Sequence, residues 1–290
     1  MVERILVATD FSTRSDRAMR RSTLIARTTG ASLSLVHVVD SDQSPSMIGA
    51  ERDAALATLE ENVRTIEETD GISADARVEV DDVVPGILNA AEAVGAQLIV
   101  VGPHRKRLND IFVGTTAERV VRRSQLPLLV AVQTPSGGHA RTLLALDFDE
   151  ASRAAARAAV ELGVFEHTAV IAMHAFDTPA RGLMERAMES GDSIDDYVAG
   201  EGREGAARLQ AFVAELGLPS AAERAIAVQG SPARTILATA VEEGADLIVL
   251  GASKRKGFER LLIGSVAEDV LREAHRDILI VPVDDESQAS

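Results

Sequence analysis

The chain has 290 residues, room at roughly 100 to 200 residues per domain for two domains or one large one, and its 46% hydrophobic and 26% charged composition is that of a globular protein. It has no cysteine and its six histidines are scattered, which excludes a disulfide framework, a thiolate nucleophile and a zinc-thiolate site. Thirty basic against 45 acidic residues give a net charge of −15, which opposes nonspecific binding to nucleic acid or an anionic membrane, so any anion site must be local.

Met1-Val2-Glu3-Arg4-Ile5 enters an apolar segment without a basic n-region, and the chain holds no apolar run of about 18 residues. Neither a secretion signal nor a membrane span is expected, and the expected location is the cytoplasm. Short β-rich apolar runs then alternate with segments of helical periodicity, the pattern of a doubly wound parallel sheet. Strands are predicted near 5–8, 33–39, 76–80, 98–101 and 128–132, and again near 142–146, 168–175, 225–228, 247–250 and 278–281. Ser12 and Asp149 stand where a side-chain oxygen can cap the first helix of each set.

The two sets are copies. Ile5 to Phe11 resembles Leu143 to Phe148, His37 follows Asp10 by the interval that separates His174 from Asp147, and 97–102 answers 246–251. The second copy carries about twelve extra residues within 177–230. The turn-formers Thr134-Pro135-Ser136-Gly137-Gly138 mark the join. Each copy ends in an apolar strand that would leave an aggregation-prone edge, so these two strands are expected to pair about a pseudo-twofold axis.

Gly200-Glu201-Gly202-Arg203-Glu204-Gly205 satisfies the G-x-G-x-x-G dinucleotide pattern but sits in a charged helical segment rather than between a strand and a helix, so it is read as coincidence that weakens the helix. No G-x-x-x-x-G-K-[ST] loop and no G-x-S-x-G elbow occur. Asp10 and Asp147 follow the first strand of each copy, where a carboxylate serves either to accept from a ribose or base or to cap a helix. His37 and His174 close the second strand, poised for a proton or simply tied to a backbone carbonyl.

The strongest constellation follows the fourth strand. Copy two runs from Gly251 through Lys254-Arg255-Lys256 to Gly264-Ser265, which opens a helix. Amides at a helix N-terminus form a phosphate seat, and glycine allows close approach. Copy one has Gly102, then His104-Arg105-Lys106-Arg107, then Gly114-Thr115. The chain's three lysines, Lys106, Lys254 and Lys256, all fall in these two stretches, a local lure for anions in an acidic protein; a solvated basic turn is the plainer reading.

At these residues the sequence resembles the universal stress protein family in its tandem two-domain form, over essentially the whole chain. The resemblance implies an α/β fold of two doubly wound domains, each a five-stranded parallel sheet flanked by helices, arranged as a pseudo-twofold pair. The domains are expected at 1–134 and 139–290 with a linker at 135–138. In the ATP-binding branch G-x2-G-x9-G-[ST] follows strand four. Gly251, Gly264 and Ser265 match it, with Lys254 in place of the second glycine. Gly102, Gly114 and Thr115 match with Arg105 in that place, and the stretch is one residue short. The family's strand-one Asp falls on Asp10 and Asp147, and its main-chain adenine contact on Val38 and Ala175. The family's G-x-P after strand three is kept as Gly230-Ser231-Pro232 and lost at Val83-Val84-Pro85.

The expected ligand is ATP or another phosphate-bearing anion, with domain 2 favoured. The expected role is a non-enzymatic sensing module in stress response, because no general base, Walker lysine or acidic metal pair is evident in the sequence at the loops. The alternative is a weak ATPase or phosphotransfer protein. Protein partners are not specified, and both a monomer with an internal pseudo-dimer and a homo-oligomer fit.

Overall fold

A computed structural model of the chain describes residues 1–103, 115–176, 191–218, 225–254 and 263–284. The first half runs β1 (Arg4–Ala8), α1 (Ser15–Thr29), β2 (Ser32–Val39), α2 (Pro45–Asp70), β3 (Ala74–Val80), α3 (Val83–Val94), β4 (Leu98–Val101), α4 (Thr116–Arg123) and β5 (Leu128–Val130). The second runs β6 (Arg141–Ala145), α5 (Glu150–Glu161), β7 (Ala169–Phe176), α6 (Gly191–Glu215), β8 (Ala225–Gln229), α7 (Pro232–Glu242), β9 (Leu247–Lys254), α8 (Ser265–Glu273) and β10 (Asp277–Asp284). The strands form one ten-stranded sheet in the order β3-β2-β1-β4-β5-β10-β9-β6-β7-β8.

All pairings are parallel except the central one, where β5 meets β10 antiparallel with Leu129 opposite Leu279. The two strands expected to close each other's edges do so, and the halves are related by a pseudo-twofold at that pair. Strand alternation divides the core into two layers. Ile5 and Val7 pack with α1, α2, α5 and α6 through residues such as Ala18, Leu59, Ala155 and Leu209. Leu6 faces the other side, with Val84, Val120, Ile236 and Val270 of α3, α4, α7 and α8. Each layer runs unbroken across both halves, so helices cover both faces of a largely parallel sheet.

Four local expectations are corrected. Helix α1 begins at Ser15 after Arg14, which makes no side-chain cap; Ser12 lies in the preceding turn, and its hydroxyl only receives the Ser15 amide at 3.4 Å. Asp149 does cap α5, accepting from the Ser152 amide at 2.8 Å. In the second half Gly251 to Lys254 continue β9 instead of opening a loop, because β10 runs on beside them to Asp284. In the first half β5 stops at Val130: the Val132 and Gln133 amides turn to the Asp277 carboxylate at 2.8 and 3.0 Å. Finally, Asp81-Asp82-Val83, rather than Val83-Val84-Pro85, occupy the place of Gly230-Ser231-Pro232, since Gly86 and Thr235 make the same first-turn bond, to Asp82 and Ser231.

Gly200, Gly202 and Gly205 lie within α6, which removes the dinucleotide fingerprint from contention. A Cβ on Gly205 would stand 3.3 Å from the Ala227 methyl, so this glycine brings α6 close to β8. Most of the extra residues of the second copy lie in the β7–α6 connection, 177–190, outside the described residues, against 40–44 in the first half; the others fall between α6 and β8, at 216–224 against 71–73.

Candidate functional site

In each half the chain leaves β1 or β6 for two strands on one side and then crosses to β4 or β9 on the other. Such a reversal opens a crevice at the carboxyl ends of the diverging strands, the place where open α/β sheets bind ligands. Both crevices are present. One, of about 370 Å³, is lined by Asp10, Val38, Gly102 and Thr116 among others. The other, of about 510 Å³, is lined by Asp147, Ala175, Gly251, Gly264, Ser265 and Glu268 among others. Two sets of residues distant in sequence are thus gathered at equivalent places.

The two Asp residues differ. Asp10 Oδ1 accepts from the Ser12 amide at 3.1 Å and from the Ser12 hydroxyl at 2.5 Å, and Arg14 lies 3.8 Å from Oδ2. Partial burial works to raise its pKa, but the Ser12 and Ser15 hydrogen bonds and the Arg14 charge outweigh burial and the net shift is downward. Asp147 engages its backbone amide with the Ser152 hydroxyl at 2.8 Å, while its side chain is 82% exposed with His174 Nδ1 3.8 Å away. Partial desolvation at the crevice raises its pKa despite that exposure, and the neighbouring Asp149 charge adds to the rise against the opposing pull of His174 and Arg208. Neither Asp caps a helix.

Both histidines take the plainer of their two roles. His37 Nδ1 lies 2.9 Å from the Thr9 carbonyl and His174 Nδ1 2.9 Å from that of Leu146; a carbonyl only accepts, so Nδ1 carries the proton. Each ring also packs on a phenylalanine, Phe11 at 4.5 Å and Phe148 at 4.3 Å between centroids. These phenylalanines hold φ of 57° and 58°, a region unusual for a bulky residue. This repeated Phe-His unit, which turns the chain out of β1 and β6, escaped the sequence reading although Asp10-Phe11 and Asp147-Phe148 both announce it.

The glycines divide by task. A Cβ at Gly251 would fall 2.3 Å from the Ala151 carbonyl oxygen, and one at Gly102 would fall 2.6 Å from that of Arg14. These two let the helix after the first strand press onto the fourth. Gly264 caps α8 with φ −55° and ψ 142°, and a Cβ there meets nothing within 4 Å. Ser265 opens α8, exposed at the cavity. Thr115 caps α4 in a reciprocal box: the Glu118 amide donates to Thr115 Oγ1 at 3.1 Å and the Thr115 amide to Glu118 Oε2 at 3.1 Å. Lys254 closes β9 opposite Asp284. Arg105 and Gly114, with the basic stretches 104–114 and 255–262, lie outside the described residues.

Among the described residues no helix is long and apolar enough to cross a membrane. Over 96% of both chains, the protein is 25% identical to a universal stress protein of Mycolicibacterium smegmatis. It is 32% identical to universal stress protein MJ0531 of Methanocaldococcus jannaschii over 49% of this chain and 81% of that one. A crystal structure of a universal stress protein from Archaeoglobus fulgidus superposes with a TM-score of 0.68, covering 96% of this chain and 98% of the other at 18% identity, a likeness of fold. The sequence model of the universal stress protein family matches twice, at residues 1–132 and 139–282, the two halves that share the central β5–β10 pair. By that double match this chain belongs to the universal stress protein family, in a tandem two-domain form.

Proposed function

We propose that this protein is a nucleotide-sensing, non-enzymatic signalling module of the stress response, acting in the cytoplasm, with ATP or a related phosphate-bearing anion bound chiefly in the second half. Residues 1–134 and 139–290 serve as its domains and 135–138 as the linker. The observation that carries the reading is the second crevice: one cavity of about 510 Å³ joins the Asp147 carboxylate, 82% exposed, to the N-terminus of α8 at Gly264 and Ser265. Asp147 accepts ribose hydroxyls, the Ala175 main chain meets the base, and the first amides of α8 hold phosphate oxygens against the positive end of the helix. Lys254, whose backbone closes β9, is the residue proposed from the sequence to add a charge-assisted phosphate contact.

Non-enzymatic action is favoured by how the lining carboxylates are used. Asp149 is spent on the cap of α5 and Glu268 on Arg122 and Arg272. The raised pKa of Asp147 is the one observation that favours weak ATPase or phosphotransfer activity, since a raised carboxyl is a better base at neutral pH. Denaturing the purified protein and identifying what it releases, followed by calorimetry with ATP and a phosphate-release assay, tests both readings. The expected outcome is binding without turnover. No binding at millimolar ATP overturns the nucleotide reading, and steady phosphate release that disappears in Asp147→Asn favours the enzyme.

A further inference from the structure

Glu118 and Arg272 belong to opposite halves, yet their side chains meet across the pseudo-twofold, one from the first turn of α4 and the other from the last turn of α8. The Glu118 side chain, 1% exposed, divides its carboxylate: Oε2 receives the Thr115 amide at the start of α4, and Oε1 receives Arg272 Nε at 3.2 Å. Arg272 also donates to Glu268 Oε1, and Glu268, on the wall of the second cavity, takes Arg122 on Oε2 at 3.4 Å. Two helix first turns and two helix last turns are thereby linked into an open chain of four charges, Glu118–Arg272–Glu268–Arg122, across the pseudo-twofold. The chain is unequal. Glu118 is folded back on its own helix cap, whereas Glu268 is held, among the described residues, by the two arginines.

Resting on the nucleotide reading above, we infer that this chain of charges couples the two crevices, with Glu118 as an internal anion that competes with phosphate for the start of α4. A phosphate that takes the Thr115 amide must displace Glu118 Oε2, and the anchor left to that carboxylate is Arg272. Drawing Arg272 toward Glu118 loosens its hold on Glu268. Arg122 Nε, buried without a partner among the described residues, then offers Glu268 a second resting place. The network has two arrangements, which is what coupling requires. In the displaced arrangement Glu268 is neutralised by one arginine instead of two, so the second cavity becomes less hospitable to an anion. By linkage the effect is reciprocal: ligand in either crevice weakens binding in the other.

The experiment is calorimetry with ATP on the full chain, using Gly264→Val to block the second crevice. The affinity of the first crevice is read twice: as the weaker step of the unmodified protein, and as the remaining step of Gly264→Val. Coupling predicts that the second value is tighter by at least about fivefold. The difference should vanish when Glu118→Gln is added to both proteins, because glutamine keeps the cap but not the charge. Arg272→Met, at a half-exposed side chain, removes the same contact from the other half and should give the same loss if Glu118→Gln proves unstable. Equal affinities, or a difference that survives both substitutions, overturn the coupling and leave the nucleotide reading standing. A single site in the unmodified protein and none in Gly264→Val does likewise. No binding by the unmodified protein overturns the nucleotide reading, and the coupling with it.

Discussion

Asp277 Oδ2 and Arg21 Nε lie 2.7 Å apart, with side chains 0% and 4% exposed, across 256 positions of sequence. Three further donors surround the carboxylate: the Val132 and Gln133 amides and His139 Nε2 at 3.0 Å. One buried charge thus fastens α1, the end of β5 and the exit of the linker to the start of β10. The pseudo-twofold mates of Asp277 and Arg21 are Pro127 and Ala158, so the fastening exists on one side of the molecule only. Burial alone would raise the Asp277 pKa, but His139, Arg21 and the Gln133 amide more than reverse it.

Asp277→Asn is therefore expected to cost about 3–5 kcal/mol at neutral pH, because it leaves Arg21 buried without its counter-charge. The sign with pH follows from a depressed carboxyl. Its stabilisation is complete above the ordinary Asp pKa, 3.8, and is lost as pH falls through the lower folded value. Urea unfolding from pH 7 down to pH 3 should show the gap between the two proteins narrowing below about pH 4. A gap that stays constant would mean that the ion pair contributes nothing through its charge.

The left-handed phenylalanines lead to an inverted ranking. At most positions alanine stabilises more than glycine, but at φ near 58° any Cβ is strained and glycine is not. Phe148 packs on His174, on Phe212 at 5.6 Å and beneath the Arg208 guanidinium at 4.4 Å, so truncation loses those contacts in either case. Phe148→Gly should then be more stable than Phe148→Ala by about 1 kcal/mol, and Phe11→Gly than Phe11→Ala by a similar margin. Denaturant midpoints for the four variants decide it. Alanine ranking above glycine at both positions would show that the backbone carries no strain there.

The strands were legible because period-2 alternation of buried residues is a local property. Expected and observed bounds differ chiefly where a partner from far away decides them, as at β5, shortened by Asp277, and β9, lengthened by β10. The internal repeat located both crevices, since Asp10 and Asp147 mark the ends of corresponding strands. What the pattern could not give was commitment. Nothing in the sequence tells that Ser12 takes up Asp10 while the Asp147 side chain stays 82% exposed, or that Gly251 serves a helix contact. The buried Asp277 was invisible for the same reason: its four donors come from three separated segments.

Gly251 and Gly264, both in the family motif, should fail in different ways. Adding a methyl at Gly251 sets it 2.3 Å from a backbone oxygen that cannot rotate aside, so Gly251→Ala is expected to destabilise by roughly 1–3 kcal/mol or more. Gly102→Ala should behave alike against the Arg14 carbonyl, at 2.6 Å. Gly264 has φ and ψ open to any residue and free space beside it, so Gly264→Val should fold normally and lose ATP. Thermal unfolding alongside calorimetry separates the two. A destabilised Gly264→Val that still binds would reassign this glycine to packing.

The last expectation ranks the crevices through their aspartates. Asp10 Oδ1 is taken up by the Ser12 hydroxyl at 2.5 Å and the Ser12 amide at 3.1 Å, so a ribose is left with Oδ2, which already faces Arg14 at 3.8 Å, unless it displaces Ser12. Among the described residues no hydrogen bond is made to the Asp147 carboxylate, and His174 Nδ1 stands 3.8 Å from it, so both oxygens are open to a ligand. A hydrogen bond to a charged group contributes about 1.5–3 kcal/mol, whereas one made by exchange for an existing partner nets much less. Asp147→Asn should thus weaken ATP binding about tenfold or more, and Asp10→Asn by less than about threefold. Asp10→Asn should instead act on stability: Asp10 has a depressed pKa, so any loss appears above the ordinary carboxyl range and fades as pH falls through the folded value. Calorimetry on the two single variants and their combination measures the ranking. If Asp10→Asn proves the more damaging to binding, the first crevice is the principal site and the preference for the second half is wrong.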